Sequence, residues 1–476
     1  MAQQKNKKKI ESLDLLFSPK SIAVIGASRN TASVGYGIAK NIIEGCVFKC
    51  KYCYPFEGKI YLINPKAKKI LGRKCYPDIK SIEKKIDLAI IVVPAQVVES
   101  VVIDCAKKKV KSMIIISAGF AETGNQGKAL QDRIASIASE AGIPLVGPNC
   151  LGVIRPAAKM NASFAPSMPP KGNIAFISQS GALADSIIDW AIEAEYGFSA
   201  IISIGNQADL DISDFISWIG NDQHTKAIAL YIEGLEDGRK FIEIAGKISK
   251  NKPIIVLKGG RTKKGQKAIS SHTGSIAGSY KIYETAFKQY GIEIADNIEE
   301  LFDLSKALAN QQPCKKNSIA IITNAGGPGV LCADFCESMG IHLAELKDST
   351  IAKLDKSGKM HPAYSKHNPL DLVGDALPER YEAAINTLLS EDYISGMIII
   401  QTLQTMTDPI KDAEIIIKAK EKFKDKPIVC AFMGGMFSKK GMELLEKNKI
   451  PNYNDPKKAA RAMKALVDRA KIKERK

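Results

Sequence analysis

Short apolar runs recur along the chain. Each is followed by a turn of small residues and then by a stretch with helical spacing. Ser21-Ile22-Ala23-Val24-Ile25 is the first such run, Gly26-Ala27-Ser28 turns the chain, and Val34-Gly35-Tyr36-Gly37-Ile38-Ala39 enters a helix. Further runs predict strands at Lys59–Ile63, Leu88–Val93, Met113–Ser117 and Pro144–Val146. Strand alternating with helix predicts a parallel, doubly wound sheet with right-handed crossovers. Breaks in the pattern divide the chain. Pro156 and Pro166-Ser167-Met168-Pro169-Pro170 precede a second set of strands, at Ile174–Ile177, Ser199–Ile204, Ala227–Tyr231 and Pro253–Leu257. Gln311-Gln312-Pro313-Cys314-Lys315-Lys316 precedes a third, at Ser318–Thr323, Met397–Gln401 and Pro427–Phe432. The reading is three serial α/β domains, over residues 12–150, 151–312 and 316–472.

Composition adds constraints. The 476 residues are 45% hydrophobic and 25% charged, ordinary for a soluble protein. No apolar run reaches membrane-spanning length. The basic start, Met1 to Lys9, lacks the apolar core of a signal peptide. A cytoplasmic protein without a membrane partner is expected. The net charge of +17 points at nucleic acid, but its distribution does not. Residues 1–10 carry +4 and residues 457–476 carry +7, which leaves +6 for the body. Two basic ends without a recognisable nucleic-acid motif predict no nucleic-acid partner. The body's small excess suits anionic small molecules.

Ten cysteines in a chain of this length are not a disulfide framework. Cys46-x3-Cys50-x2-Cys53 has the spacing of a radical-type iron–sulfur triad, or of a zinc site completed by a residue such as Cys75. It interrupts a helix-to-strand connection, so a short insertion of surface or half-buried thiols is expected, and no metal.

Ligands of such sheets bind where strand ends meet helix starts. Three turns qualify. Around Gly26-Ala27-Ser28 and Gly35 the pattern is not a clean GxGxxG, and the second strand ends in Asn64-Pro65-Lys66, without the carboxylate that NAD binding requires. Lys66 suits an ADP carrying a ribose phosphate, as in coenzyme A or NADP. Ser178-Gln179-Ser180-Gly181 reads either as an anion seat or as ordinary capping by Ser180. Thr323-Asn324-Ala325-Gly326-Gly327-Pro328-Gly329 reads as an anion seat, or as tight packing. A Walker loop is absent: Gly260-x4-Gly265 is followed by Gln266-Lys267.

His272 is one of five histidines, and it lies in Ser270-Ser271-His272-Thr273-Gly274-Ser275, which reads as a loop of small residues. A neutral imidazole is a nucleophile near pH 7. A carboxylate that holds its other nitrogen stabilises the charge that develops on attack. Glu233, at the end of the apolar run Ile228 to Ile232, is the candidate.

In one order, Val24-Ile25-Gly26-Ala27-Ser28, Asn64-Pro65-Lys66, Val93-Pro94-Ala95, Ser117-Ala118-Gly119-Phe120, Gly147-Pro148-Asn149-Cys150, Ser178-Gln179-Ser180-Gly181, Glu233-Gly234, Ser271-His272-Thr273-Gly274, Asn324-Ala325-Gly326-Gly327-Pro328-Gly329 and Asn368-Pro369-Leu370-Asp371 resemble the alpha subunits of ADP-forming acetyl-CoA synthetases. These belong to the NDP-forming acyl-CoA ligase superfamily, which includes succinyl-CoA synthetase. The resemblance implies a Rossmann-like CoA-binding domain followed by two flavodoxin-like domains. It implies an acid–thiol ligase: acyl-CoA, ADP and phosphate give acid, ATP and CoA, reversibly, through an acyl phosphate and phosphorylated His272, with Glu233 as its carboxylate. It assigns CoA to Gly26, Ala27, Ser28, Gly35, Asn64, Pro65, Lys66, Val93, Pro94, Ser117, Ala118, Gly119, Asn149 and Cys150. It assigns phosphate to Ser178, Gln179, Ser180, Gly181, Gly326, Gly327 and Gly329. ADP or ATP and Mg2+ fall mainly to an ATP-grasp beta subunit, in an alpha2beta2 assembly. A nicotinamide-dependent oxidoreductase and a non-catalytic CoA-sensing protein are the alternatives.

Overall fold

The computed structural model describes residues 13–194, 196–273 and 279–474. Residues up to Ile294 form one compact unit, and Ala295 onward form a second. Three α/β sheets account for the architecture.

The first sheet holds β1 (Ser21–Ile25), β2 (Lys59–Ile63), β3 (Lys69–Ile70), β4 (Arg73–Tyr76), β5 (Leu88–Ile91), β6 (Ser112–Ile115) and β7 (Leu145–Val146), in the order β3-β4-β2-β1-β5-β6-β7. Its main strands are parallel, and β3 turns back on β4 as a short antiparallel pair. All five positions of β1 are buried, because helices cover both faces of a central parallel strand.

The second sheet holds β8 (Gly152–Arg155), β9 (Met160–Ser163), β10 (Lys171–Ser178), β11 (Phe198–Ser203), β12 (Ala227–Ile232), β13 (Ile254–Lys258) and β14 (Glu293–Ala295), in the order β14-β13-β12-β10-β11-β8-β9. The antiparallel hairpin of β8 and β9 was not foreseen from the sequence. Its four-residue strands are too short to show a period. Arg155 is buried on β8, where it grips the Asp222 carboxylate with two nitrogens at 2.8 and 2.9 Å. The Pro-rich stretch before β10 packs inward. Met168, Pro169 and Pro170 are buried, and the Asn41 side chain binds the carbonyls of Ser163 and Ala165 at 2.9 and 2.8 Å. One continuous apolar core runs from β1 through β10 and β11, so the first two sheets fold as a single body.

The second unit carries β15 (Ile319–Thr323), β16 (Leu370–Asp371), β17 (Gly396–Thr402), β18 (Ile428–Met433) and β19 (Asn452–Tyr453), all parallel, in the order β16-β15-β17-β18-β19. Helix Ile298–Asn310 packs within this unit: Lys306 reaches Glu446 at 2.7 Å and the Asn452 carbonyl at 2.8 Å. Among the described residues, no helix is long and apolar enough to cross a membrane.

In each sheet the first long parallel strand (β1, β10 or β15) has neighbours on its two sides whose connections leave in opposite directions. That is the switch point where the carboxyl ends of the strands open a crevice.

Candidate active site

At the first switch point, the ends of β1, β2 and β5 surround a cavity of about 640 Å³. Gly26 has φ +97°, and a Cβ there would lie 2.3 Å from the Val92 carbonyl oxygen. A Cβ on Gly35 would lie 2.1 Å from the Gly26 oxygen. Both positions therefore exclude side chains, and helix Val34–Glu44 starts against the strand end. Ser33 caps that helix by accepting from the Tyr36 N–H. Asn64 braces the turn: its amide donates to the Ala27 carbonyl at 2.7 Å, and its oxygen accepts from the Lys66 N–H at 2.8 Å. Gly26, Ser28, Gly35, Asn64, Pro65, Lys66, Val93 and Pro94 line the cavity. Ala27 is buried behind it.

Ser117, Ala118, Gly119, Asn149 and Cys150 gather at the next strand ends, outside that lining. The Asn149 N–H donates to the Ser117 carbonyl at 3.0 Å, and Ser117 Oγ donates to the Val93 carbonyl at 2.6 Å. Asn149 is left-handed, with φ +56°, and its side chain is exposed. Its amide contacts Asn206 at 3.3 Å. Asn206 in turn donates to Glu122, which also accepts from the N–H groups of Gly119 at 2.6 Å and Phe120 at 3.1 Å. Burial pushes the Glu122 carboxyl up, but these donors outweigh it and hold the group below the usual carboxylate range. Cys150 faces inward: its thiol donates to the Ile115 carbonyl at 3.3 Å, and burial pushes it up to about 12. It is a neutral core thiol beneath the exposed Asn149.

The second switch point lies at the end of β10. Ser178 Oγ donates to the Ser180 carbonyl at 2.7 Å and accepts from the Ser180 N–H at 3.0 Å, which closes a tight hydroxyl turn. Ser180 caps helix Gly181–Glu193 by accepting from the Leu183 N–H at 3.2 Å. The N–H groups of Gly181 and Ala182 in the first turn then lack an acceptor within the helix. Gln179 binds the neighbouring strand edge. Its side chain donates to the Gly234 carbonyl at 2.7 Å and accepts from the N–H groups of Glu233 and Gly234. It thus fixes the loop after β12.

Glu233 is 6% exposed and sits one residue beyond β12. Lys258 ends the adjacent β13, opposite Ile232. It is buried, its ammonium donates to the carbonyls of Glu233 at 2.8 Å and of Gly259, and it lies 4.8 Å from the Tyr283 ring centre. Burial pulls Lys258 down to about 8, against the opposing pull of Glu233. Burial, then Glu233, pushes the Tyr231 hydroxyl up to about 12.

The chain leaves this edge through Gly259 and Gly260 into helix Lys263–Thr273, which Thr262 begins by accepting from the Gly265 N–H at 3.1 Å. His272 lies in the last turn of that helix, where the sequence reading expected a loop. The small residues Ser270, Ser271 and Thr273 extend the helix because Thr262 caps it and Ile269 anchors it. A Cβ on Gly260 would lie 2.6 Å from Ile269 Cδ1. The His272 side chain and residues 274–278 lie outside the described residues.

The end of β15, in the second unit, repeats the design. Thr323 Oγ1 donates to the Ala325 carbonyl at 2.9 Å and accepts from the Ala325 N–H at 3.0 Å. Asn324 donates to the Thr402 carbonyl and accepts from the Thr402 N–H, each at 2.8 Å. Helix Gly326–Ser338 starts from Ala325, which supplies no capping side chain. A Cβ on Gly326 would lie 3.1 Å from Asp371 Oδ2, one on Gly329 would lie 2.9 Å from Thr323 Cγ2, and one on Gly327 would meet open space.

Three family models match the chain: a CoA binding domain over residues 20–156, a succinyl-CoA ligase like flavodoxin domain over 171–308 and a ligase-CoA domain over 319–470. The chain is 44% identical to the alpha subunit of ADP-forming acetate–CoA ligase II from Pyrococcus furiosus, covering 96% of this chain and 98% of that one. The chain belongs to the ADP-forming acetate–CoA ligase family. The ADP-forming acetate–CoA ligase I from Archaeoglobus fulgidus is 41% identical over 97% of this chain, which spans 64% of its length. The solved dinucleotide-forming acetyl-coenzyme A synthetase 1 from Ca. Korarchaeum cryptofilum, in complex with phosphate and ADP, superposes with a TM-score of 0.89 at 37% identity, covering 97% of each chain.

For a ligase of this family, three residues at the strand edges escaped the sequence reading. Lys258 looks like the polar end of an apolar run, and only the pairing of β12 with β13 sets it beside Glu233. Glu122 and Asn206 are 84 residues apart in sequence and meet only in the fold. The one available signal was Thr262, four residues before Gln266, as a helix-capping residue.

Proposed function

We propose that this ADP-forming acid–thiol ligase works as an alpha subunit that converts acyl-CoA, ADP and phosphate to acid, ATP and CoA, and back. CoA is assigned to the cavity beneath Gly26, Gly35 and Lys66. Phosphate oxygen attacks the thioester carbonyl carbon, the carbon–sulfur bond breaks, and CoA leaves as the thiol. Asn149 donates to the oxygen that gains charge in that step, and its posture follows from Asn206 and Glu122. A ring nitrogen of His272 then attacks phosphorus and releases the acid. Glu233 carries the charge that appears on the imidazole.

The observation that carries this reading is the company at the β10–β12–β13 edge. Glu233 is held there by Gln179 and lies beside the buried ammonium of Lys258, at the edge from which the helix bearing His272 departs. The helix starts at Gly181 and at Gly326 are each assigned as phosphate seats, because their first N–H groups point an uncancelled dipole at an anion.

Close relatives are named alpha subunits, which supports a separate partner chain. We assign to that partner an ATP-grasp fold, the nucleotide and Mg2+, in an alpha2beta2 assembly located in the cytoplasm. The test uses the chain copurified with its partner. Radiolabelled phosphate with acetyl-CoA labels the wild type at His272 and leaves His272→Asn unlabelled while CoA still binds. Label retained by the variant removes His272 from the scheme. A wild type that binds CoA yet never takes label supports a CoA-sensing role instead.

A further inference from the structure

Between helix Val34–Glu44 and β2 the chain makes an excursion that neither the cavity nor the strand edges use. Three sulfurs meet there. The Sγ atoms of Cys46, Cys50 and Cys53 all lie within 4.8 Å of one another. Cys46 and Cys53 are joined as a disulfide, and Cys50 Sγ lies 3.4 Å from Cys53 Sγ. The loop is pinned rather than loose. Gly45 has φ +93°, and a Cβ there would meet the Tyr54 backbone at 2.6 Å. The Phe48 N–H donates to the Pro166 carbonyl at 2.8 Å. The Cys50 N–H donates to Cys53 Sγ at 3.1 Å, the buried Ser167 hydroxyl lies 3.0 Å from the Phe48 carbonyl and 3.1 Å from Cys50 Sγ, and the Cys50 thiol faces the Met168 carbonyl at 3.7 Å.

We infer that the reduced loop binds one Zn2+ through the thiolates of Cys46, Cys50 and Cys53, with the fourth position open to water. Thiolates around tetrahedral zinc, at about 2.3 Å from the metal, sit about 3.8 Å from each other. Cys50 Sγ lies 3.4 Å from Cys53 Sγ, near that spacing, and reduction of the disulfide lets Cys46 and Cys53 separate to reach it. A cubane iron–sulfur cluster interposes iron and sulfide and holds its cysteines further apart, so this grouping favours a single ion despite the spacing in the sequence. Soft thiolates select zinc over magnesium or calcium. Cys50 and Cys53 are only half-buried, so solvent reaches the fourth position. Cys75, the fourth ligand that the sequence offered, is not part of the group: its thiol turns to the carbonyls of Asn64 and Tyr76.

The chemistry balances simply. A dithiol reductant converts the Cys46–Cys53 disulfide to two thiols and itself becomes a disulfide. Three thiols then bind Zn2+ and release three protons.

The test uses the full-length chain, reduced, incubated with Zn2+ and desalted without chelator. Elemental analysis is expected to find about one zinc per chain, lost in Cys50→Ser and in the triple variant Cys46→Ser/Cys50→Ser/Cys53→Ser, and unchanged in Cys75→Ser. Co2+ in place of zinc is expected to show sulfur-to-cobalt charge transfer that weakens in Cys50→Ser. Retained CoA binding and circular dichroism show that the variants fold. Zinc below about a tenth of an equivalent, zinc that survives the triple variant, or iron with acid-labile sulfide overturns the inference.

Discussion

Gln179 and Asn324 hold the same post in two different sheets. Each follows a hydroxyl residue at the end of its sheet's first long parallel strand. Each turns its side-chain amide onto the backbone at or just past the end of a neighbouring strand, donating to one carbonyl and accepting from at least one N–H. The amide is the one neutral side-chain group that offers a donor and an acceptor at this spacing. It fixes the loop that carries Glu233 in one case and the end of β17 at Thr402 in the other.

Gln179→Ala strips partners from the N–H groups of Glu233 and Gly234 and from the Gly234 carbonyl. A loss of about 1–3 kcal/mol is expected. Histidine phosphorylation is expected to fall further than CoA affinity. Gln179→Glu keeps the acceptor and loses the donor, so it is expected to fall between the two. Urea melts, with label incorporation on the same samples, check the order. An alanine variant as stable as the wild type means that the clamp holds nothing.

Lys258 predicts a pH signature. Its proton is held less tightly in the fold, at about 8, than at its ordinary 10.5. Between those values the unfolded chain binds more protons, so this residue's contribution makes stability rise with pH through that window and flatten below it. Lys258→Met lacks the contribution. The difference in unfolding free energy between wild type and variant is expected to shift in favour of the wild type from pH 8 to pH 10. A difference that stays constant with pH places the ammonium in solvent.

In the second unit, Asp412 behaves oppositely. It is 1% exposed, it accepts from the Gln401 amide, and its Oδ1 has no hydrogen-bond partner among the described residues. Burial pushes its carboxyl up to about 7. The folded state binds the proton more tightly between 3.8 and 7, so stability falls as pH rises through that window. Asp412→Asn keeps the acceptor for Gln401 and removes the charge. It is expected to gain stability over the wild type at pH 8 and to lose that advantage at pH 4, as read by thermal melts.

Lys66 is exposed at the mouth of the first cavity, at the end of the second strand. If it meets a ribose phosphate, Lys66→Met weakens CoA binding about fivefold and leaves dephospho-CoA unchanged. Calorimetry with both ligands at low salt decides. An equal loss for both assigns Lys66 to another part of the ligand.

Arg155 and Asp222 test the unforeseen hairpin. Burial pushes Asp222 up, but Arg155 and Thr225 outweigh it and hold the carboxyl at about 2. The pair's contribution is therefore complete above 3.8 and disappears as pH falls toward 2. Asp222→Asn leaves a buried guanidinium without its charge partner and is expected to cost about 3–5 kcal/mol near neutrality. A smaller cost in denaturant melts means that water reaches the pair.

The period of apolar residues determined most of the secondary structure. Runs such as Ile22 to Ile25 and Ile254 to Leu257 can bury both faces only inside a parallel sheet, so strand positions and fold class were legible before any coordinates. The glycine turns marked the crevices, since Gly26 and Gly35 answer to a local crossing of backbone. The four-residue strands β8 and β9 stayed hidden, and so did the end of the helix that carries His272, whose small polar residues Ser270, Ser271 and Thr273 read as a loop. What the tertiary structure alone decided is pairing across distance. It set Lys258 against the carbonyl of Glu233, hung Asn149 on Asn206 and Glu122, clamped Gln179 onto the loop after β12, and brought Cys50 against Ser167. Each of these depends on strand order and register, which long-range packing selects and no local stretch of sequence encodes.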